Sequence, residues 1–194
     1  MNFIAPSWDD IFAKTVKLAK EIRKEEKGPF DCLIGISRGG LALTRIMSDL
    51  MEVQNVYVVR CEYYSDIGKT KKEPAVTQKI HGKINGKKLL VMDDVADSGE
   101  SLIVIKKYLL SKLPAEVKFA TIFVKPGCKM IPDYFVATTS DWIVFPWEYY
   151  ETIRSVVAAN GGNSLAKTKI PAKYVEMLID MDESLQTGRK KIAR

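Results

Sequence analysis

Apolar residues alternate along the chain between helical spacing and short continuous runs. Over residues 8–22 they recur with the period of an amphipathic helix, and Ser7 can cap this helix with Asp10 three residues later. Gly28 and Pro29 end the segment. The pattern therefore predicts a first helix that packs one apolar face against a core.

The apolar runs that follow have the length of buried strands, and segments with helical spacing lie between them. Strands are predicted at residues 31–36, 56–61, 88–92, 117–124, 134–137 and 142–145. Helices are predicted at residues 41–50, 99–112 and 171–181. This alternation indicates an α/β fold, with a mainly parallel sheet flanked by helices, in which ligands bind beyond the carboxyl ends of the strands.

Residues 65–78 interrupt the alternation with a polar stretch that contains Gly68 and Pro74. We expect a long loop here, and a lid over a functional site is one of the few reasons for such a loop in a compact domain.

The composition limits the possible classes of function but does not identify one. The chain has 194 residues, 46% of them hydrophobic, and a net charge of +6, which suits either a nucleic-acid binder or an enzyme for phosphorylated anions. No apolar run is long enough to span a membrane. Three widely spaced cysteines and one histidine form no zinc motif and favour a reducing, cytoplasmic setting.

The most informative segment follows the strand at residues 88–92. Asp93 and Asp94 come directly after its apolar residues, Asp97 follows three positions later, and a small hydroxyl-bearing turn (residues 98–101) opens a helix. The amino end of a helix, with serine hydroxyls and a glycine, suits a phosphate group. The carboxylates would repel a phosphate but suit hydroxyl groups and Mg²⁺, so together the residues match a ribose phosphate.

This segment resembles the PRPP-binding motif of type I phosphoribosyltransferases, with Ala96 in place of a larger aliphatic residue. The resemblance implies that Asp93 and Asp94 hold the ribose hydroxyls or the metal ion. Asp97 would contact the base and act as general acid and base. The turn residues would bind the 5′-phosphate, and they are Asp97, Ser98, Gly99, Glu100 and Ser101.

Ser37, Arg38 and Gly39, followed by Gly40, resemble the pyrophosphate loop of 6-oxopurine enzymes in this family. Glycine backbone N–H groups and a forked guanidinium suit pyrophosphate oxygens. An Arg-Gly-Gly turn after a strand is weak evidence alone, and its value comes from lying one βαβ unit before the acidic motif.

The base-binding residues follow from the same resemblance. Lys125 would donate to the 6-oxo group, Trp142 would stack on the purine, and the backbone of Ile143 would meet its 2-position edge. Glu148 stands where an aspartate usually helps to hold a second Mg²⁺. For Trp147 we expect packing.

Tyr63, Tyr64 and Lys69 occupy the place of the flexible loop that closes over PRPP in the family, although Tyr63 departs from the usual Ser or Thr. A solvated charge run is an equally good interpretation of the lysines. The resemblance covers about residues 8–150 and implies a phosphoribosyltransferase domain at residues 1–150, with a small hood built from the chain ends. Residues 151–194 are expected to be an extension that packs on the core or forms an oligomer contact.

The implied function is purine salvage with Mg²⁺, in which PRPP and hypoxanthine, guanine or xanthine give a nucleoside monophosphate and pyrophosphate. A homodimer or a dimer of dimers is the family expectation. Two alternatives stay open: an adenine-specific enzyme on the same scaffold, which a charged Lys125 disfavours, and a PRPP-sensing regulator that binds nucleic acid. We do not expect a nucleic-acid partner, because the sequence has no recognised nucleic-acid-binding motif.

Overall fold

The structure, a computed structural model, describes residues 2–64, 73–160, 164–182 and 185. By its internal contacts the chain divides into a larger unit, Phe12–Ser140, and a smaller one that combines Met1–Ile11 with Asp141–Arg194. Helix α1 (Trp8–Glu25) begins in the smaller unit and continues into the larger. Its predicted cap is confirmed, because the Asp10 N–H donates to Ser7 Oγ over 3.1 Å and the Ser7 N–H donates to the Asp10 carboxylate over 2.9 Å.

The larger unit is built on a six-stranded sheet with the order β4-β3-β2-β5-β6-β7. All neighbouring strands are parallel except β3 and β4, which are antiparallel. The strands are β2 (Cys32–Ser37), β3 (Val56–Tyr64), β4 (Glu73–Gln78), β5 (Lys88–Ala96), β6 (Glu116–Val124) and β7 (Tyr134–Thr138). The predicted α/β fold with a mainly parallel sheet is confirmed.

Helices cover both faces of this sheet. Successive side chains of a strand point to opposite faces, so neighbouring residues of β2 contact different helices. Helix α2 (Gly40–Leu50) lies over the face of Gly35, whose missing side chain leaves room for Thr44. Helix α3 (Glu100–Leu110) buries its apolar face in the cluster that contains Ile34 and Val91 on the other side. The sheet therefore lies between α2 on one face and α3 on the other.

The prediction of a loop over residues 65–78 is wrong at its carboxyl-terminal end. Glu73–Gln78 forms β4, which pairs with the extended end of β3. Val76 packs against the core, and Pro74 is tolerated because β4 lies at the edge of the sheet. Residues 65–72 lie outside the described residues.

The smaller unit joins the two ends of the chain. A two-residue strand, β1 (Phe3–Ile4), pairs in parallel with β8 (Trp142–Ile143). The observed β8 is therefore shorter than the strand predicted at residues 142–145. The unit also contains helices α4 (Tyr149–Asn160) and α5 (Ala172–Met181), with single 3₁₀ turns at Pro146–Glu148 and Leu165–Thr168. Val144, Ile153 and Ile179 lie in its own apolar core.

This arrangement bears on the predicted domain boundary at residue 150. The compact unit that contains the extension begins earlier, at Asp141, and includes the amino end. The boundary at residue 150, and the packing or oligomer role of residues 151–194, stay predictions. No helix among the described residues has both the length and the apolar character needed to cross a membrane.

A largely buried ion pair ties the segment after α1 to the sheet. Lys88 and Tyr134 both donate hydrogen bonds to the Glu26 carboxylate, whose side chain is only 10% exposed. Burial alone would raise the pKa of Glu26. The hydrogen bonds from Lys88 and Tyr134 and the charges of Lys88 and Lys118 outweigh it and lower the pKa.

We predict that Glu26→Gln lowers the free energy of unfolding by about 2 kcal/mol at pH 7, the usual worth of a hydrogen bond to a charged group. Because the folded-state pKa is lowered, this stability is present above the unfolded value and is lost as the pH falls through the folded one. Urea unfolding at pH 7 and near pH 3 should show the difference between variant and wild type shrinking in acid.

Glu52→Gln is the matched control, since the Arg23–Glu52 pair has a similar 3.0 Å contact but side chains that are 51% and 82% exposed. It should cost less than about 0.5 kcal/mol. An equal cost for the two variants at pH 7 would contradict the assignment.

Candidate functional site

The end of β5 directs its acidic residues to opposite sides. Asp93, Val95 and Asp97 line one cleft, whereas Asp94 does not and is 6% exposed. Alternation along the strand separates Asp93 from Asp94, and Asp97 comes from the turn that follows β5. Two carboxylates that are adjacent in the sequence therefore have different surroundings.

Asp94 lies against the loop that follows β2. A Cβ atom added to Gly39 would lie 2.0 Å from Asp94 Oδ2, and one added to Gly40 would lie 2.3 Å from the Met92 carbonyl oxygen. Asp94 Oδ1 also accepts the N–H of Val95 over 2.8 Å. The glycines of the predicted pyrophosphate loop are therefore required by close packing on β5, as well as by any ligand.

The rest of that loop lies where the sequence predicts, directly after β2. Ser37 ends the strand, the Ser37–Arg38 peptide bond is cis, and the Arg38 side chain is exposed. The Leu41 N–H donates to the Arg38 carbonyl oxygen over 3.2 Å, which closes the turn into α2.

The turn after β5 forms the amino end of α3. Gly99 has φ +77°, a left-handed conformation that favours glycine, and no side chain caps the helix at this residue. Ser98 Oγ accepts the Glu100 N–H over 3.3 Å, while Asp97 and Ser98 are exposed. The turn thus presents backbone donors and hydroxyl groups, the arrangement that favours an anion.

A cleft of about 180 Å³ opens at this turn. It is lined by Tyr63, Asp93, Val95, Ala96, Asp97, Ser98, Gly99, Ser101 and Leu102. Tyr63 comes from the end of β3, and its hydroxyl lies 3.3 Å from Ser98 Oγ and donates to Glu100 Oε2 over 3.2 Å. The structure therefore brings the predicted loop residue Tyr63 together with the predicted phosphate turn. The side chain of Tyr64 and the whole of Lys69 lie outside the described residues.

Cys61 is a neighbour of this cleft that the sequence did not indicate. Burial and the charges of Asp93 and Glu62 raise the pKa of its thiol, against a hydrogen bond with Ser101 that acts in the opposite direction. The side chain is therefore a neutral thiol that contacts the predicted phosphate-binding hydroxyl of Ser101. Cys61 lies on β3 and Ser101 near the start of α3, so this contact follows from the fold and not from a sequence pattern.

The loop after β6, which carries Lys125, is joined to the same turn by backbone hydrogen bonds. The Lys125 N–H donates to the Ala96 carbonyl oxygen over 2.9 Å, and the Lys129 N–H donates to the Ser98 carbonyl oxygen over 2.9 Å. The Lys129 ammonium also contacts Glu100 Oε1 at 2.5 Å. The backbone of Lys125 thus lies beside the acidic motif, and its base-binding role stays a prediction, whereas Lys129 was not predicted.

The remaining predicted residues lie in the smaller unit. Trp142 is 49% exposed, Ile143 is buried, and Phe3 is the register partner of Trp142. A cavity of about 410 Å³ has as its lining Phe3, Trp142, Glu148, Glu151, Thr152, Ser155 and Val156. Phe3 was missed because a two-residue strand has no sequence pattern of its own.

Trp147 packs as expected. Its ring stacks on Phe145, with centroids 4.9 Å apart and planes 9° from parallel, and it also contacts Trp8 at 5.6 Å between centroids.

A metal cage made by protein alone is absent from the described part of the chain, where no three His, Cys, Asp or Glu side chains cluster. Asp93 faces the cleft, Asp94 is buried on the other side of β5, and Glu148 belongs to the smaller unit. Mg²⁺ commonly binds through one or two carboxylates, several waters and substrate phosphates. Asp93 fits such a site, which does not need a complete set of protein ligands.

Comparisons with known proteins point to one family. The model of the phosphoribosyl transferase domain family matches residues 7–176, which extends beyond the segment of about 8–150 that carries the sequence resemblance. A xanthine-guanine phosphoribosyltransferase from Idiomarina loihiensis is 31% identical over 148 residues, which cover 74% of this chain and 86% of that protein.

Two solved structures give the same result. A purine phosphoribosyltransferase from Pyrococcus horikoshii superposes with a TM-score of 0.68 at 31% identity, covering 76% of this chain and 94% of the other. A xanthine-guanine-hypoxanthine phosphoribosyltransferase from Helicobacter pylori gives 0.67 at 25% identity, covering 79% and 99%.

We predict that Gly99→Ala destabilises the protein more than Gly86→Ala. Both glycines have positive φ, +77° and +66°, so both variants should lose about 1 kcal/mol to backbone strain. A Cβ at Gly99 would also lie 2.6 Å from Met130 N and 2.8 Å from Cys128 Sγ, whereas Gly86 has open space. Overpacking should add about 1–3 kcal/mol at Gly99 alone, measured by urea unfolding. Equal losses would show that the turn can move away from the loop.

Proposed function

The chain belongs to the phosphoribosyl transferase family, and on that premise we propose that it transfers the 5-phosphoribosyl group of PRPP to a 6-oxopurine in purine salvage. The products are a nucleoside monophosphate and pyrophosphate. The observation that carries the proposal is the cleft at the end of β5, where carboxylates on one wall meet the hydroxyl and N–H donors of a helix-opening turn. A ribose phosphate needs both kinds of group within a few ångströms.

The donor would lie along the end of β5. Ser98, Gly99, Glu100 and Ser101 would bind the 5′-phosphate through backbone N–H and hydroxyl groups, because their turn opens α3. Asp93 would accept hydrogen bonds from the ribose hydroxyls, since it lines the same cleft.

The pyrophosphate would lie over Ser37, Arg38 and Gly39. The Arg38 guanidinium offers a forked donor, and the loop backbone adds N–H groups. Buried Asp94 supports this loop from below through its contact with Gly39. Its contribution would be to hold the loop in place, with Asp93 as the acid that meets the ribose.

Magnesium would be held at Asp93, in part through water, and by the pyrophosphate oxygens, with Glu148 assigned to a second ion. When bound, the metal neutralises charge on the leaving pyrophosphate.

The acceptor base would be recognised by Lys125, Trp142 and Ile143. A lysine donates to a 6-oxo group, whereas the amino group of adenine is itself a donor and is a poor partner. Trp142 has about half of its surface exposed and is available to stack. We propose hypoxanthine, guanine and xanthine as the substrate class.

In the reaction the C1′–O bond to pyrophosphate breaks and a C1′–N bond to the base forms, through a ribosyl centre with oxocarbenium character, as in glycoside chemistry. Asp97 would contact N7 of the base and serve as general acid and base. It is exposed within the cleft and follows the ribose-binding Asp93 on the same wall. The segment that includes Tyr63, Tyr64 and Lys69 would exclude water, which otherwise hydrolyses PRPP.

We further propose a cytoplasmic homodimer or dimer of dimers. Three free cysteines suit a reducing compartment. Exposed apolar side chains on and after α3, among them Ile103, Leu110 and Leu113, suit a contact between copies.

The proposal is tested by mixing the protein with PRPP, Mg²⁺ and each of five bases, and by measuring pyrophosphate release and nucleotide formation. We predict turnover with hypoxanthine, guanine or xanthine, and at least about a hundredfold less with adenine, because the unpaired donors are costly. Turnover with adenine alone would favour the adenine enzyme. No release with any base would favour the PRPP-sensing regulator and overturn the proposal.

We predict that Asp97→Asn lowers kcat by about a hundredfold or more, because the amide cannot exchange a proton with the base. PRPP binding should stay within about threefold, since the substitution keeps the backbone of the phosphate-binding turn and leaves Asp93 and the other turn residues unchanged. The measurements are steady-state kinetics and calorimetric titration with PRPP.

Asp49→Asn is the control, because it makes the same change at an exposed position in α2. Unchanged kcat for the Asp97 variant would remove Asp97 from the chemical step.

A further inference from the structure

The proposed 5′-phosphate site has an unusual balance of charge. Asp93 and Asp97 line the cleft, and Glu100 opens the helix at its turn. None of the nine residues that line the cleft is a lysine or an arginine. A phosphate monoester carries about −1.5 to −2 charges at pH 7. Helix N–H groups and hydroxyls must therefore bind it against nearby carboxylates.

Lys129 is the cation that the described structure places at this turn. Its ammonium lies 2.5 Å from Glu100 Oε1, and the Tyr63 hydroxyl donates to the other oxygen of the same carboxylate over 3.2 Å. Tyr63 also meets Ser98, which lines the cleft. Glu100 thus holds a positive charge beside the hydroxyl groups that would surround the phosphate.

The backbone keeps Lys129 in this position. Its N–H donates to the Ser98 carbonyl oxygen over 2.9 Å. On either side, Cys128 and Met130 lie so close to Gly99 that a Cβ there would approach them within 2.8 Å and 2.6 Å. The loop after β6 cannot move away from the turn without breaking these contacts, so the Lys129 backbone stays beside the turn while its exposed side chain can change rotamer.

Resting on the proposed function, we propose that Lys129 is a further PRPP-binding residue, whose ammonium is held at the rim of the turn by Glu100 and neutralises the 5′-phosphate. Glu100 holds this ammonium beside the turn until the phosphate competes for it. The side chain of Lys129 is 62% exposed, which lets it move and makes its contribution sensitive to salt.

The alternative is that the Lys129–Glu100 ion pair only stabilises the loop, and this alternative predicts a different result. If the pair were a brace, removing either partner would break the same contact and would weaken ligand binding in the same direction. If Lys129 binds the phosphate, removing Glu100 takes away a repulsive charge and frees the ammonium. The two single variants should then act in opposite directions.

The test is calorimetric titration with ribose 5-phosphate, without base and without Mg²⁺. We predict that Lys129→Met weakens binding about fivefold and that Glu100→Gln leaves it equal or tightens it up to about threefold, as expected for one charge near the ligand. Lys129→Arg should keep binding within about twofold. The loss in Lys129→Met should shrink when NaCl is raised from 0.05 to about 0.5 M.

The matched controls are Lys17→Met and Glu21→Gln. These residues form an ion pair on α1 with nearly the same exposure, 61% and 42%, at a 4.0 Å separation. They should leave ribose 5-phosphate binding unchanged. Thermal unfolding of every variant identifies any loss that comes from unfolding.

Weaker binding in both Lys129→Met and Glu100→Gln, or unchanged binding in Lys129→Met, would overturn the inference. Both results would leave the proposed function standing as long as the wild type forms nucleotide from PRPP. Failure of the wild type to form nucleotide would overturn the proposed function itself, whatever the titrations give.

Discussion

The whole candidate site depends on how closely the loop after β2 packs against the end of β5. Gly39 lies on the Asp94 carboxylate and Gly40 on the Met92 carbonyl oxygen, with no room for a side chain at either position. The two strands are adjacent and parallel, so their carboxyl ends meet at one edge of the sheet. Any residue larger than glycine would separate the two segments that the proposed mechanism needs side by side.

This packing gives the neighbouring acids different tasks. Strand alternation buries Asp94 under the glycine loop and leaves Asp93 in the cleft, which Asp97, just after the strand, also lines. The loop after β6 is also attached to the end of β5, because the backbone N–H groups of Lys125 and Lys129 donate hydrogen bonds to the turn. Two loops that are distant in the sequence, after β2 and after β6, are thus fixed to the end of β5.

Local patterns explain which parts could be predicted. The sheet class, the cap at Ser7 and the turn after β5 follow from spacing within a few residues, and the structure confirms the fold. The β4 strand was missed because polar residues and Pro74 hide its alternation. Phe3 and Lys129 were missed for another reason: their partners, Trp142 and Glu100, are remote in the sequence and are brought close only by the fold. The roles of the site residues stay predictions.

The pairing of β1 with β8 has a consequence for biosynthesis. Phe3 and Ile4 are translated before the sheet of the larger unit, whereas their partners Trp142 and Ile143 are translated after it. The sheet of the larger unit, Phe12–Ser140, needs only residues that are already made by then. Newly made chains should therefore assemble the sheet first, and the Trp142 segment proposed to stack on the base can pair with β1 only after the sheet has been translated.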